Sequence, residues 1–154
     1  MAAMKNHLAI LAFSLAIPAA FAEVPNACEI LKVEEINAIA ANTVEKVQQQ
    51  KSGNPSVCGF MDSHHAAVVV ISIREVQYAA QNELQLEREN LEKIYKGRVK
   101  WLTGTLGDDA FWMPVNKQLM FRKGKKLVSV TFSREKNRNE VDTAQIARIV
   151  ESRL

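Results

Sequence analysis

Asp62, His64 and His65 come closest in this chain to a metal-ligating set, since carboxylate and imidazole are donors that zinc and copper accept. In an extended segment His64 and His65 point to opposite faces, so only one of them can share a side with Asp62. No further histidine of the folded part and no unpaired cysteine completes the set, and the expectation is a solvated turn ahead of a strand, without metal or other cofactor. Hydrolytic chemistry finds equally little support. Ser133-x-x-Lys136 and Lys51-Ser52-Gly53 match short elements of penicillin-recognising enzymes, but they occur in the wrong order on a chain too short for that fold. A nucleophilic triad would need His64 or His65 as base beside a serine on a sharp turn, and no Gly-x-Ser-x-Gly occurs. Asp108 and Asp109 could act as paired carboxylates, yet adjacent acids in a glycine-containing loop usually form turns. No catalytic residue is assigned.

The more unusual surface feature is basic. Lys93, Lys96, Arg98 and Lys100 precede Trp101; Arg122, Lys123, Lys125 and Lys126 surround a hairpin tip; Arg134, Lys136 and Arg138 follow. Lysines at strand edges and tips often serve only to prevent aggregation. In the functional reading they meet an anionic partner, with exposed aromatics as anchors. On that reading Trp101, Trp112, Lys123, Lys125 and Lys126 are the partner-binding candidates, and Phe111 belongs to the core.

Any such surface must be carried by a folded unit, and the N-terminus indicates where that unit begins. Lys5, an apolar stretch from Leu8 to Ile17 and the small-residue site Ala20-Phe21-Ala22 form the three parts of a cleavable export signal, with cleavage after Ala22. Ten apolar residues are too few to cross the roughly 30 Å of a bilayer core, so no stable membrane insertion is expected. Residue 23 is glutamate rather than the cysteine of a lipid-anchored product. Removal of 1–22 leaves 132 residues, a single domain over 23–154, with 19 Lys plus Arg against 17 Asp plus Glu. This near balance argues against a nucleic-acid partner. Cys28 and Cys58 both lie in the remaining part, and in an oxidising compartment an even pair is read as one disulfide rather than two buried thiols. Closing a loop of about 30 residues stabilises the fold by roughly 3 to 4 kcal/mol.

The order of elements follows from periodicity and punctuation. Asn26 and Glu29 resemble a capping box ahead of a helix or helix pair over 27–41. Ser52-Gly53-Asn54-Pro55 separates strands at 43–49 and 57–62, and 66–73 reads as a central strand. A polar helix over 76–96 carries Ala80, Leu84, Leu91, Ile94 and Tyr95 on one face, with Glu89–Lys93 and Glu92–Lys96 as pairs and Gly97 as its cap. Strands at 110–113, 118–122 and 126–133 follow, the last alternating Val128, Val130 and Phe132 with Ser129, Thr131 and Ser133. A helix over 141–153 closes the chain. Hairpin-length connections cannot join parallel neighbours, so an α+β fold is expected, its mainly antiparallel sheet made of two hairpin-connected strand groups packed with about three helices and one disulfide.

Cys28-x-x-Leu31 with Glu34 and Glu35, Cys58-Gly-Phe60, Gly107-Asp108-x-Ala110-Phe111, and Leu119 leading to Lys123-Gly124 and Val128-x-Val130 resemble small secreted bacterial proteins and lipoproteins of unknown function. The resemblance spans most of 27–133 and implies an exported α+β domain with a structural disulfide and no established active site. The functional expectation is a non-enzymatic exported protein, periplasmic in a Gram-negative host. It would bind an envelope or toxin protein or an anionic envelope polymer, for example as an immunity or inhibitor protein against an envelope-directed toxin or hydrolase. A small envelope hydrolase and a metal or small-ligand carrier are the alternatives.

Overall fold

The computed structural model describes residues 24–41, 43–76, 80–133 and 139–154. The export segment and the expected cleavage point lie outside the described residues, as do Arg134, Lys136 and Arg138 of the basic series. The elements run α1 (Ala27–Ile30), α2 (Val33–Ala40), β1 (Lys46–Lys51), β2 (Ser56–Met61), β3 (Ala67–Glu75) and α3 (Ala80–Tyr95). They continue with β4 (Lys100–Trp101), β5 (Asp109–Met113), β6 (Gln118–Lys123), β7 (Lys126–Phe132) and α4 (Asn139–Glu151). The strands form one sheet in the order β1-β2-β3-β7-β6-β5-β4, with every neighbour antiparallel. Two meanders, β1 to β3 and β4 to β7, meet along the β3–β7 ladder, and α3 carries the chain between them. The α+β class and the two strand groups agree with the sequence expectation.

Strand alternation assigns the two faces. Val128, Val130 and Phe132 of β7, Val69, Ile71 and Ile73 of β3, and Ala110 and Trp112 of β5 belong to the core under α1, α2 and α4. The opposite side chains Phe111, Met120 and Leu127 pack with Ala80 and Leu84 of α3. A layer of helix thus covers each side of the sheet, removing both apolar faces from water.

Of the helix or helix pair expected over 27–41 the structure has the pair, broken at Leu31 and Lys32, both extended. Two details differ from expectation. Along α3, Ile94 is 66 % exposed rather than part of the buried stripe, which is confined to Ala80, Leu84 and the partly buried Leu91. Glu92 is not held by Lys96 but accepts from Arg88 Nη2 at 2.6 Å.

The N-terminal helices are fastened to the sheet and to the end of the chain. Cys28 and Cys58 form the expected disulfide, with Cα atoms 5.1 Å apart. Beside it Ala27 N donates to Ser56 Oγ at 2.9 Å, and the Asn26 side chain caps α1 by accepting from Cys28 N at 3.0 Å. Glu35 Oε2 accepts from Lys32 N at 2.9 Å at the start of α2 and from Arg153 Nη1 at 2.8 Å, while Arg153 Nη2 pairs with Oε1 and Arg153 also donates to Ile30 O. The Arg153 guanidinium holds the Glu35 carboxyl down at about 2, helped by the Lys32 N–H and against partial burial.

Gly107 occupies a left-handed conformation (φ +57°) against the β6–β7 hairpin, where a Cβ would lie 2.2 Å from Arg122 O. Gly124 at the hairpin tip is also left-handed (φ +58°) but faces open space. Gly107→Ala should therefore cost about 3 kcal/mol, combining backbone strain with overpacking, and Gly124→Ala only about 1 kcal/mol. Parallel urea titrations of the two variants measure the gap, and equal losses would contradict the steric argument.

Glu35 contributes an acid dependence. Because its folded pKa lies below that of the unfolded chain, its contribution is present above about pH 4.5 and is lost as pH falls through about 2. Glu35→Gln should lower stability by about 1 kcal/mol at neutral pH, the pair being partly solvent-screened, and the deficit should shrink below about pH 3. Urea titrations of wild type and variant across that range give the comparison.

Candidate functional site

The hairpin between β2 and β3 contains the residues that came closest to a metal set. Asp62 Oδ1 accepts from His64 N and from Ala66 N, both at 2.9 Å, and His65 takes a left-handed turn (φ 61°). The Ala66 N–H, followed by that of His64, lowers the Asp62 pKa against partial desolvation. The carboxylate is therefore engaged in holding a turn, and His64 Nδ1 lies 3.2 Å from Ser63 Oγ. Among the described residues no group of three or more His, Cys, Asp or Glu side chains is placed to hold a metal ion. Asp108 and Asp109 are likewise engaged: Arg122 Nη1 reaches Asp108 Oδ2 at 2.7 Å and Arg122 Nη2 reaches Asp109 Oδ2 at 3.1 Å.

The basic hairpin is largely internal bonding. Lys123 Nζ donates at 2.6 Å to Glu151 O, a carbonyl that the C-terminal end of α4 leaves open, and Lys126 Nζ donates at 3.3 Å to Leu154 O, three residues beyond the helix. Of the three lysines named as partner-binding candidates only Lys125 is exposed and without an ion pair among the described residues. Trp112 is 4 % exposed and belongs to the core with Leu119 and Phe121, so its ring cannot present a surface to a partner. The reason is register. Trp112 stands opposite Leu119 on the α4 side of the sheet, whereas Trp101 stands opposite Phe111 on the α3 side.

Trp101 is the aromatic candidate that remains at the surface. It lies on β4, the last strand of the sheet, and is 36 % exposed. Its ring meets Phe111 edge-on, with centroids 6.1 Å apart and planes at 86°, while the Arg88 guanidinium lies 4.3 Å over its face. Arg88 is in turn held by Glu92 one helical turn on. The indole is thus fixed from below by an aromatic edge and from above by a cation.

Beside it runs a groove of about 440 Å³ between β4 and α4. Leu102 and the β4 strand at Trp101, whose ring turns to the other side of the sheet, form one wall, and Val141, Ala144 and Arg148, on one face of α4, form the other. Val141 is 50 % exposed, unusual for a branched apolar side chain on an otherwise well-packed helix. Lys100 Nζ and Glu140 Oε1 bridge the two walls at 2.7 Å. Both side chains are well solvated, so the bridge contributes little stability and can open. Of these residues the sequence points only to Trp101; Arg88, Val141 and Arg148 are brought to its strand by tertiary contacts.

A second concavity, of about 240 Å³, lies between α3 and the sheet at Ser72, Arg74, Glu87, Gln118 and Ser129. Its polar groups largely answer one another: Arg74 Nη2 reaches Glu83 at 3.3 Å and Gln118 Nε2 reaches Ser129 Oγ at 3.1 Å. The Trp101 groove is larger, more apolar and less internally satisfied, and it is the candidate site. Comparison with protein families, with curated proteins and with solved structures gives no match for this chain.

Arg88→Ala should loosen the indole without unfolding the domain, costing about 1 kcal/mol of stability. Acrylamide quenching separates the two tryptophans: the Trp101 component should become more accessible and the buried Trp112 component should not change. No change in either component would mean that Arg88 does not hold the ring.

Proposed function

We propose that this chain is an exported protein that acts by binding rather than catalysis, and that it engages a protein of the cell envelope through the groove between β4 and α4. The observation that carries this reading is the edge strand β4: on its α3 side a partly exposed Trp101 indole held by Arg88 and Phe111, and on its α4 side an apolar channel with exposed Val141. A preorganised aromatic anchor next to an apolar recess is the arrangement from which binding hot spots are made, because little side-chain freedom is lost when the partner arrives. A binding role is further supported by the use made of the acids that could do chemistry, since Asp62, Asp108 and Asp109 all hold turns or loops together.

Export is supported by the tripartite N-terminal sequence and by the Cys28–Cys58 disulfide, a bond that persists in oxidising compartments. Among the described residues no helix is long and apolar enough to cross a membrane. An immunity or inhibitor protein directed at an envelope toxin or hydrolase is a specific form of this proposal, since such a protein needs a rigid exported scaffold and one well-made contact surface.

The experiment is capture from periplasmic extract by the immobilised domain beginning at Glu23, compared with Trp101→Ala and with Lys125→Ala. One protein should be retained by wild type and by the lysine variant, and Trp101→Ala should weaken retention about 10-fold or more while circular dichroism stays native. Capture that ignores Trp101 would place the interface elsewhere.

A further inference from the structure

The two edges of the sheet are built differently. β1 is fully exposed, carries Lys46 and Lys51 at its ends, and breaks register between Gln49 and Lys51, features that discourage another strand from pairing with it. β4 has no such irregularity. Leu102 N donates inward to Ala110 O at 2.9 Å, and Lys100 stands opposite Trp112. By the alternation of an antiparallel ladder, the N–H and C=O of Trp101 therefore point away from β5, toward an edge that no strand among the described residues pairs with. That edge opens beside the apolar groove formed with α4.

The charges nearby are unbalanced. Among the charged residues that line the groove, Glu140 is answered by Lys100, which leaves Arg148 without an ion-pair partner among the described residues; the exposed Lys96 and Arg98 precede β4 in the chain. A segment entering here meets a surplus of positive charge.

Resting on the reading that this groove is a partner interface, we infer that its occupant is an extended, acidic segment of the partner protein that adds to the sheet alongside β4. One backbone pair forms with Trp101, one apolar side chain enters between Leu102, Val141 and Ala144, and a carboxylate of the segment meets Arg148. Backbone pairing supplies orientation, the apolar side chain supplies burial, and charge selects the sequence.

The test uses short random peptides displayed on phage and selected against the intact domain, followed by synthesis of the enriched sequences. Enriched peptides should carry Asp or Glu near an apolar residue. N-methylation of alternate backbone nitrogens should weaken binding about 10-fold in one register and leave the other unaffected, because only one set of N–H groups faces the edge. Arg148→Glu should weaken the same peptides several-fold, and binding should survive in part at about 0.5 M NaCl. Absence of enrichment, indifference to N-methylation in both registers, or enriched peptides without acids would each overturn strand addition. Binding of a polyglutamate or polygalacturonate chain that ignores Trp101→Ala and vanishes in high salt would overturn it too, in favour of a polymer bound by charge alone. The underlying reading is judged separately. If periplasmic capture still depends on Trp101 while the peptides fail, the groove remains an interface and only the mode of docking is wrong. If capture ignores Trp101, both fall.

Discussion

The Asp108 carboxylate accepts from Arg122 Nη1 at 2.7 Å and from Gly124 N at 2.8 Å, and Asp108 N donates back to Arg122 O at 2.8 Å. These bonds fasten the loop after β4 to the tip of the β6–β7 hairpin. The loop can approach so closely only because residue 107 has no side chain, and Gly107 N uses the same approach to donate to Glu151 Oε1 on α4 at 2.8 Å. One short segment thus fixes the spacing between the β4 end of the sheet and α4, the spacing that defines the groove. The arrangement has a cost: Arg122 Nε is buried without a hydrogen-bond partner among the described residues.

A second set of constraints acts at the other end of the molecule. The disulfide and the Ala27–Ser56 bond hold α1 on β2, and Arg153 joins the chain after α4 to α1 and α2. Lys123 then binds the last carbonyl of α4, and Lys126 binds Leu154 O just beyond it, both from the hairpin. Three basic side chains fasten the end of α4 and the residues just after it, and this fixes the helix whose residues from Glu140 to Arg148 line the groove. Basic residues that look like a docking patch in sequence serve here to secure a helix terminus.

Much of this fold could be read from sequence because its signals are local or repeated. Alternation at Val128, Val130 and Phe132, the turn cluster before Pro55 and the two cysteines each carry their meaning within a few residues. What was not legible depended on register or on distant partners. β4 is two residues long, and two residues contain no period. Whether a tryptophan faces α3 or α4 depends on pairing opposite Phe111 or Leu119, which the neighbouring residues do not encode. Arg88 interrupts an apolar helix stripe and reads as a surface charge, whereas its position over Trp101 is a tertiary contact. The same holds for Lys123 and Lys126, whose acceptors lie 28 residues away in each case.

These constraints give β4 an unusual standing among the strands. Its ladder with β5 is too short to fix it by backbone bonding alone, yet its two side chains reach in opposite directions, Lys100 to Glu140 of α4 and Trp101 to Arg88 of α3. The strand is therefore positioned by side chains from both helical layers as much as by the sheet. The indole contact is the stiffer of the two, since it is shielded and supported by Phe111, whereas the Lys100–Glu140 bridge is solvated and easily exchanged. An arriving partner can break the weaker bridge and take up Lys100 or the groove wall without disturbing the stronger contact. A firmly held anchor beside a loosely closed channel allows the groove to open while the surface that recognises the partner keeps its shape.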